Sequence, residues 1–296
     1  MKRIITFFLL CSSLLTSCGQ DTRLSLLVPS GSPLLSVAGV LDAVNYEVTV
    51  GPDLLPVALT KGEKDIIIAP IITGAKLYNA QVSEYQLAAM LGWGNLHILS
   101  RTPLSSITDL DGKTILGFAE HSTPGIMLRL ATQDIDVKIT YFKAVSDVGA
   151  PFLTKQYDYV LLSEPILSKI VANSTDSCYT YSLQNVVHLP KIAQFGLFIH
   201  PDTKSVLVSS FLNDLEVNIE GLNQDPLLYA NQIVDLDAQF SELGVDLIAQ
   251  SIPQTDLEYV SAQNAKSDVT DFLTYLINTD INLMGAEMVN ENFFAN

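Results

Sequence analysis

Cysteine is scarce in this chain, which has only Cys11, Cys18 and Cys178. The first two stand near the N-terminus, so Cys178 is alone in the folded body. That excludes an internal disulfide and a CxxC metal pair, and leaves Cys178 as an inert packed residue. Histidine is nearly as sparse. His97, His121, His188 and His200 are scattered singly, without the HExxH spacing of a metal site, so no metal is expected. Cations are short too: 16 Lys and Arg stand against 32 Asp and Glu, for a net charge of −16. Nucleic acid is thereby excluded as a partner, since its binding needs Lys and Arg to neutralise phosphates.

Catalytic motifs are missing as well. There is no GxSxG elbow. Gly112-Lys113-Thr114 has the tail of a phosphate loop, but no glycine stands five positions before Gly112, and a strand is expected to follow. Gly92-Trp93-Gly94 lacks the third glycine of a dinucleotide loop. Asp109/Asp111 and Asp235/Asp237 read as solvated turn or helix positions. No catalytic residue and no cofactor is expected, and after the N-terminus no apolar run is long enough to span a membrane.

What is present starts with that N-terminus. Lys2 and Arg3 precede the apolar run Ile4 to Leu10, which is too short to cross a hydrocarbon core of about 20 residues and reads as a signal peptide. Leu15-Thr16-Ser17-Cys18 follows directly. This stretch resembles the lipobox of bacterial lipoproteins, which implies removal of residues 1–17, lipid attachment at Cys18 and a tether over 18–23. The remaining chain has 279 residues, from 296 less 17, and a charge of −18 after the loss of Lys2 and Arg3. That length suits two lobes of ordinary domain size.

Strand-like and helix-like segments then alternate. Leu24 to Val28 is a short apolar strand ended by Pro29-Ser30-Gly31-Ser32-Pro33, and Pro33 suits the first turn of a helix. Tyr46 to Val50 and Ile66 to Ala69 continue the series with a helix between them. The unbroken apolar run at 66–69 marks a strand buried on both faces. Such an order implies right-handed crossovers and a parallel sheet. The alternation restarts at Thr114 to Phe118 and runs through Val137 to Phe142 and Tyr157 to Leu162. Val186 to Leu189 and Phe195 to Ile199 are strands that lead back. Helices are expected over Val206 to Ile219, Leu227 to Val234, Ala238 to Ile248 and Val269 to Ile277, covering the first lobe, with a loop over Gln254 to Lys266.

Five motifs in order carry a family likeness. They are Pro29-Ser30-Gly31-Ser32-Pro33, Asp65 to Pro70 with Thr73-Gly74, Asp109 to Ile115, Ser122-Thr123-Pro124-Gly125 and Ser163-Glu164-Pro165. Together they resemble the type II periplasmic-binding-protein fold of ABC-importer substrate-binding subunits, in the branch for nitrate, sulfonate, taurine and thiamine precursors. The resemblance implies an α/β chain of two lobes, each a mixed, mostly parallel sheet flanked by helices. Lobe 1 would span 24–101 and 194–296, and lobe 2 would span 102–193. It also implies a monomer anchored outside the cytoplasm, a small-molecule solute and ABC permease partners.

Ligands of open parallel sheets sit past the carboxyl ends of strands. That places Ser30, Gly31, Ser32, Pro70, Thr73 and Gly74 at the site in lobe 1, and His121, Ser122, Thr123 and Glu164 in lobe 2, with Gln194 at the return crossing. Ser32 and Thr123 can equally cap helices, Glu164 can cap its own helix, and His121 can lie on a plain loop. Trp93 can stack on a ligand ring or belong to the core. An enzyme on the same fold, like those of the menaquinone pathway, and a surface sensor or adhesin are the alternative classes.

Overall fold

Alternating apolar runs and breakers build two sheets. The computed structural model describes residues 23–186, 191–283 and 287–296. The expected signal segment, Cys18 and the tether up to residue 22 lie outside the described residues, as does most of the expected strand at Val186 to Leu189, His188 included.

The first part of the chain forms β1 (Ser25–Pro29), α1 (Ser32–Val37), β2 (Asn45–Thr49), α2 (Leu55–Lys61), β3 (Ile66–Pro70), α3 (Ile71–Asn79) and β4 (Gln86–Trp93). The second comprises β5 (His97–Ser100), β6 (Thr114–Phe118), α4 (Thr123–Ala131), β7 (Lys138–Phe142), α5 (Gly149–Leu153), β8 (Tyr159–Leu162), α6 (Ile166–Asn173) and β9 (Tyr179–Ser182). The chain returns through β10 (Ala193–Ile199) and ends with α7 (Ser205–Gln224), α8 (Pro226–Ile233), α9 (Ala238–Ser251), β11 (Leu257–Ser261) and α10 (Ala262–Thr279). The first sheet has the order β11-β4-β10-β3-β1-β2 and the second β7-β6-β8-β5-β9. β1 is parallel to β2 and β3, and β6 to β7 and β8, while β10 and β5 run antiparallel to their neighbours.

Side-chain alternation along β1 and β3 explains their continuous apolar sequences. Leu26, Val28, Ile66 and Ile68 face one layer, where α7 to α9 lay down Phe211, Leu215, Ile219, Ile233, Phe240 and Ile248. Leu27, Ile67 and Ala69 face the other, where α10 brings Val269, Phe272 and Leu273. Both faces are covered, so polar residues have no place on either. Each such side chain contributes about 1.5–3 kcal/mol when fully buried. The second cluster continues through Trp93, Leu96 and Ile98 into the other lobe.

Two expectations are corrected here. The expected lobe 1 runs to residue 101, yet β5 pairs with β8 and β9 of the second sheet. Gly94 (φ 57°) and Asn95 (φ 52°) are both left-handed, and this turn sends the chain across before β5. The segment expected to be a loop over Gln254 to Lys266 instead holds β11, an edge strand on β4, and the first turn of α10. Its five residues are too few for a periodic signal, and pairing with β4 decides their state. Among the described residues, no helix is long and apolar enough to cross a membrane.

Candidate functional site

β1 ends in a turn that only glycine makes comfortably: Gly31 has φ 90° and reverses the chain into α1. Ser30 donates its N–H to the Thr49 carbonyl at 2.9 Å, and Gly31 donates its own to Gln239 Oε1 of α9 at 3.0 Å. Ser32 does not cap α1. Its hydroxyl donates to the Glu164 carbonyl of the second lobe at 2.5 Å and accepts from Asn95 Nδ2 at 2.9 Å. Asn95 completes the node by accepting the Glu164 N–H at 2.8 Å through Oδ1. On the other side of the cleft the Thr123 hydroxyl donates to the Gln194 carbonyl at 3.3 Å, so it also bridges the lobes rather than capping α4. Lys169 of α6 pairs with Glu242 of α9 at 2.8 Å, and Lys143 faces Asp53 at 3.8 Å. The two lobes are closed on each other.

Between them lies a cavity of about 90 Å³ at the carboxyl ends of β1, β3, β6 and β8. Of the residues expected at a ligand site, it is lined by Ser30, Gly31, Ser32, Pro70, Ser122, Thr123 and Gln194. Phe118, Ala119, Lys143, Val145, Ser163 and Phe195 also form its wall. An outer groove of about 430 Å³ adjoins it, sharing Pro52, Ala119, Ser122 and Lys143, and adds Asp53, Thr73, Glu120, His121 and Tyr141. Burial pushes the Tyr141 hydroxyl up, against the opposing pull of Arg129.

Five expected residues stand elsewhere. Thr73 and His121 line only the outer groove, and the His121 side chain is 90% exposed. Gly74 faces the core: a Cβ there would stand 2.2 Å from Phe198 Cζ, so the glycine serves close packing of α3 on β10. The Glu164 carboxylate turns back on α6, accepting the Ser168 N–H at 3.0 Å and the Ser168 hydroxyl at 2.9 Å. Burial pushes its carboxyl up, while the two Ser168 hydrogen bonds pull it down. Only its backbone reaches the lobe interface.

Trp93 is buried under the Lys191 ammonium, 4.5 Å from the ring centre, and lines a separate cavity with Gln184, Asn223, Asp256 and Glu258. That cavity shares no residue with the cleft. Cys178 is half-buried, with its Sγ 3.2 Å from Ser174 Oγ. Sequence reasoning missed Lys143 and Asn95. A lone lysine after a strand carries no signal, whereas an asparagine after glycine marks a left-handed turn. Among the described residues, no cluster of three or more His, Cys, Asp or Glu side chains could hold a metal ion.

Two mixed α/β lobes closed over a cavity at their strand ends define the periplasmic-binding-protein fold, and this chain has it. Among solved structures, an ABC transporter protein from Parabacteroides distasonis superimposes with a TM-score of 0.78 at 23% identity, covering 93% of this chain and 99% of that one. The periplasmic aliphatic sulphonate binding protein SsuA from Escherichia coli gives 0.70 at 12% identity, with 92% of each chain covered. The ligand-binding component of an ABC-type import system from Staphylococcus aureus, with zinc bound, gives 0.65 at 13%, covering 92% of this chain and 96% of that one. No family model matches the chain, and no curated protein matches it in sequence.

Proposed function

We propose that this chain is the extracytoplasmic solute-binding lipoprotein of an ABC importer, capturing a small solute by closure of its two lobes. The observation that carries the reading is the cavity between facing strand ends, with Ser32–Glu164 and Thr123–Gln194 hydrogen bonds joining the lobes beside it. Bonds of that kind form only when the lobes meet, so a solute that fills the gap shifts the chain toward the closed form, the form a permease reads. The ABC transporter protein, the periplasmic sulphonate binding protein and the ligand-binding component of an ABC-type import system among its structural neighbours support the same reading. Lipid on Cys18 would hold the protein beside its permease, and two or three acyl chains suffice for stable anchoring. The cleft residues in this proposal are Ser30, Gly31, Ser32, Pro70, Ser122, Thr123 and Gln194.

Native mass spectrometry of the soluble form starting at Gly19, purified without refolding, tests it. A co-purifying small molecule, released intact on denaturation and raising the melting temperature on return, is the expected result. Conversion of that molecule into a product would favour an enzyme. An empty cleft that no metabolite panel stabilises would overturn the reading. Transfer of the full chain from the membrane to the soluble fraction on Cys18→Ser checks the anchor.

A further inference from the structure

Three segments far apart in sequence meet in a ring at the edge of the cleft. The first is the turn between β1 and α1, whose Gly31 and Ser32 line the chamber. The second is the start of α6 in the other lobe. The Ser32 hydroxyl donates to the Glu164 carbonyl at 2.5 Å, and Lys169 lies just over one helical turn beyond Glu164. The third is the beginning of α9. Glu242 accepts from the Lys169 ammonium at 2.8 Å, and Gln239 Oε1 accepts the Gly31 N–H at 3.0 Å, which brings the ring back to the turn where it started.

Local sequence equips α9 for this place. Asp237 caps the helix by accepting the Gln239 N–H at 2.8 Å. Phe240 and Leu243, three residues apart, are buried among the core side chains of the first lobe and fix the segment to it. Gln239 and Glu242 have the same spacing on the neighbouring face, so a helix anchored in one lobe offers one acceptor to the solute turn and one to α6. Gly244 then takes φ 74° and ψ 162°, which breaks the helix and sets Ala238 to Leu243 apart as a short unit. Gly31 is buried, so without Gln239 its N–H stays unpaired and the turn that carries Ser32 loses a fixed point. The Lys169 side chain is 28% exposed, which leaves its pair with Glu242 less screened than a fully solvated one.

We infer that Gln239 and Glu242 are positioning residues of the cleft, and that the beginning of α9 is a clasp that favours the closed arrangement of the lobes. This inference rests on the closure reading above. The test is the distance between one spin label in each lobe, at the exposed positions Lys61→Cys and Asp134→Cys, in a Cys178→Ser chain from Gly19. Double electron–electron resonance reads it after dialysis in mild denaturant has removed bound small molecules. The parent should show a closed and an open population. Glu242→Gln and Lys169→Met should each lower the closed-to-open ratio about two- to fivefold, the range for a partly exposed ion pair, and the exchanged pair Lys169→Glu with Glu242→Lys should return it to within about twofold of the parent. Gln239→Leu should lower the ratio at least twofold, and Gln239→Glu, which still accepts from Gly31, should restore most of it. A general loss of stability would give neither rescue. If Gln239→Leu does not fold, the exchanged ion pair still decides. Unchanged ratios in the single variants, failure of the exchanged pair to rescue, or a parent with no closed population would overturn this inference alone. One closed distance in every variant would remove lobe closure, and the solute-binding reading with it.

Discussion

Replacing Asn95 by alanine strikes the point where the two lobes and the crossing strand meet. Asn95 is buried, accepts the Glu164 N–H at 2.8 Å and donates to Ser32 Oγ at 2.9 Å. Truncation leaves a buried N–H unsatisfied, which costs about 1–3 kcal/mol. It also places alanine at φ 52°, where a Cβ without a polar side chain to hydrogen-bond locally costs about 1 kcal/mol more. The expected loss is therefore about 2–4 kcal/mol in urea unfolding. Asn95→Gly removes the same bonds but relieves the backbone, so it should lose about 1 kcal/mol less than the alanine variant. Because the bonds join Ser32 of one lobe to Glu164 of the other, part of the loss falls on closure, and every 1.4 kcal/mol there weakens solute binding tenfold. An Asn95→Ala protein within about 0.5 kcal/mol of the parent, with unchanged solute affinity, would refute both the node and its coupling to closure.

Other substitutions separate packing from recognition. Glu164 has a raised carboxyl pKa, so above the ordinary value of 4.5 the folded chain keeps a proton that the unfolded chain releases. Stability should fall as pH rises through that window, and Glu164→Gln, which still accepts the Ser168 N–H, should flatten the fall in melting temperature. Gly74→Ala forces a methyl group onto the buried Phe198 ring and should destabilise by about 1–3 kcal/mol; an unchanged unfolding midpoint would contradict the packing. Trp93→Phe should leave solute affinity within about twofold, because Trp93 lines a different cavity; a titration showing a tenfold loss would put the indole in the binding path.

Sequence alone determined the layout of alternating elements, because an apolar strand covered on both faces, such as Ile66 to Ile68, and a proline in the first turn, such as Pro33 or Pro124, are local signals that hold wherever the segment ends up. It also pointed to the strand-end loops, and Ser30, Ser32, Ser122, Thr123 and Gln194 do meet at one cavity. Tertiary structure decided the rest. Whether β5 joins one sheet or the other depends on a two-residue left-handed turn, and β11 exists only because β4 offers it an edge. The same holds for side-chain direction. Glu164 and Gly74 occupy the right loops by number, yet one carboxylate folds back on α6 and one glycine serves Phe198, choices made by neighbours distant in sequence.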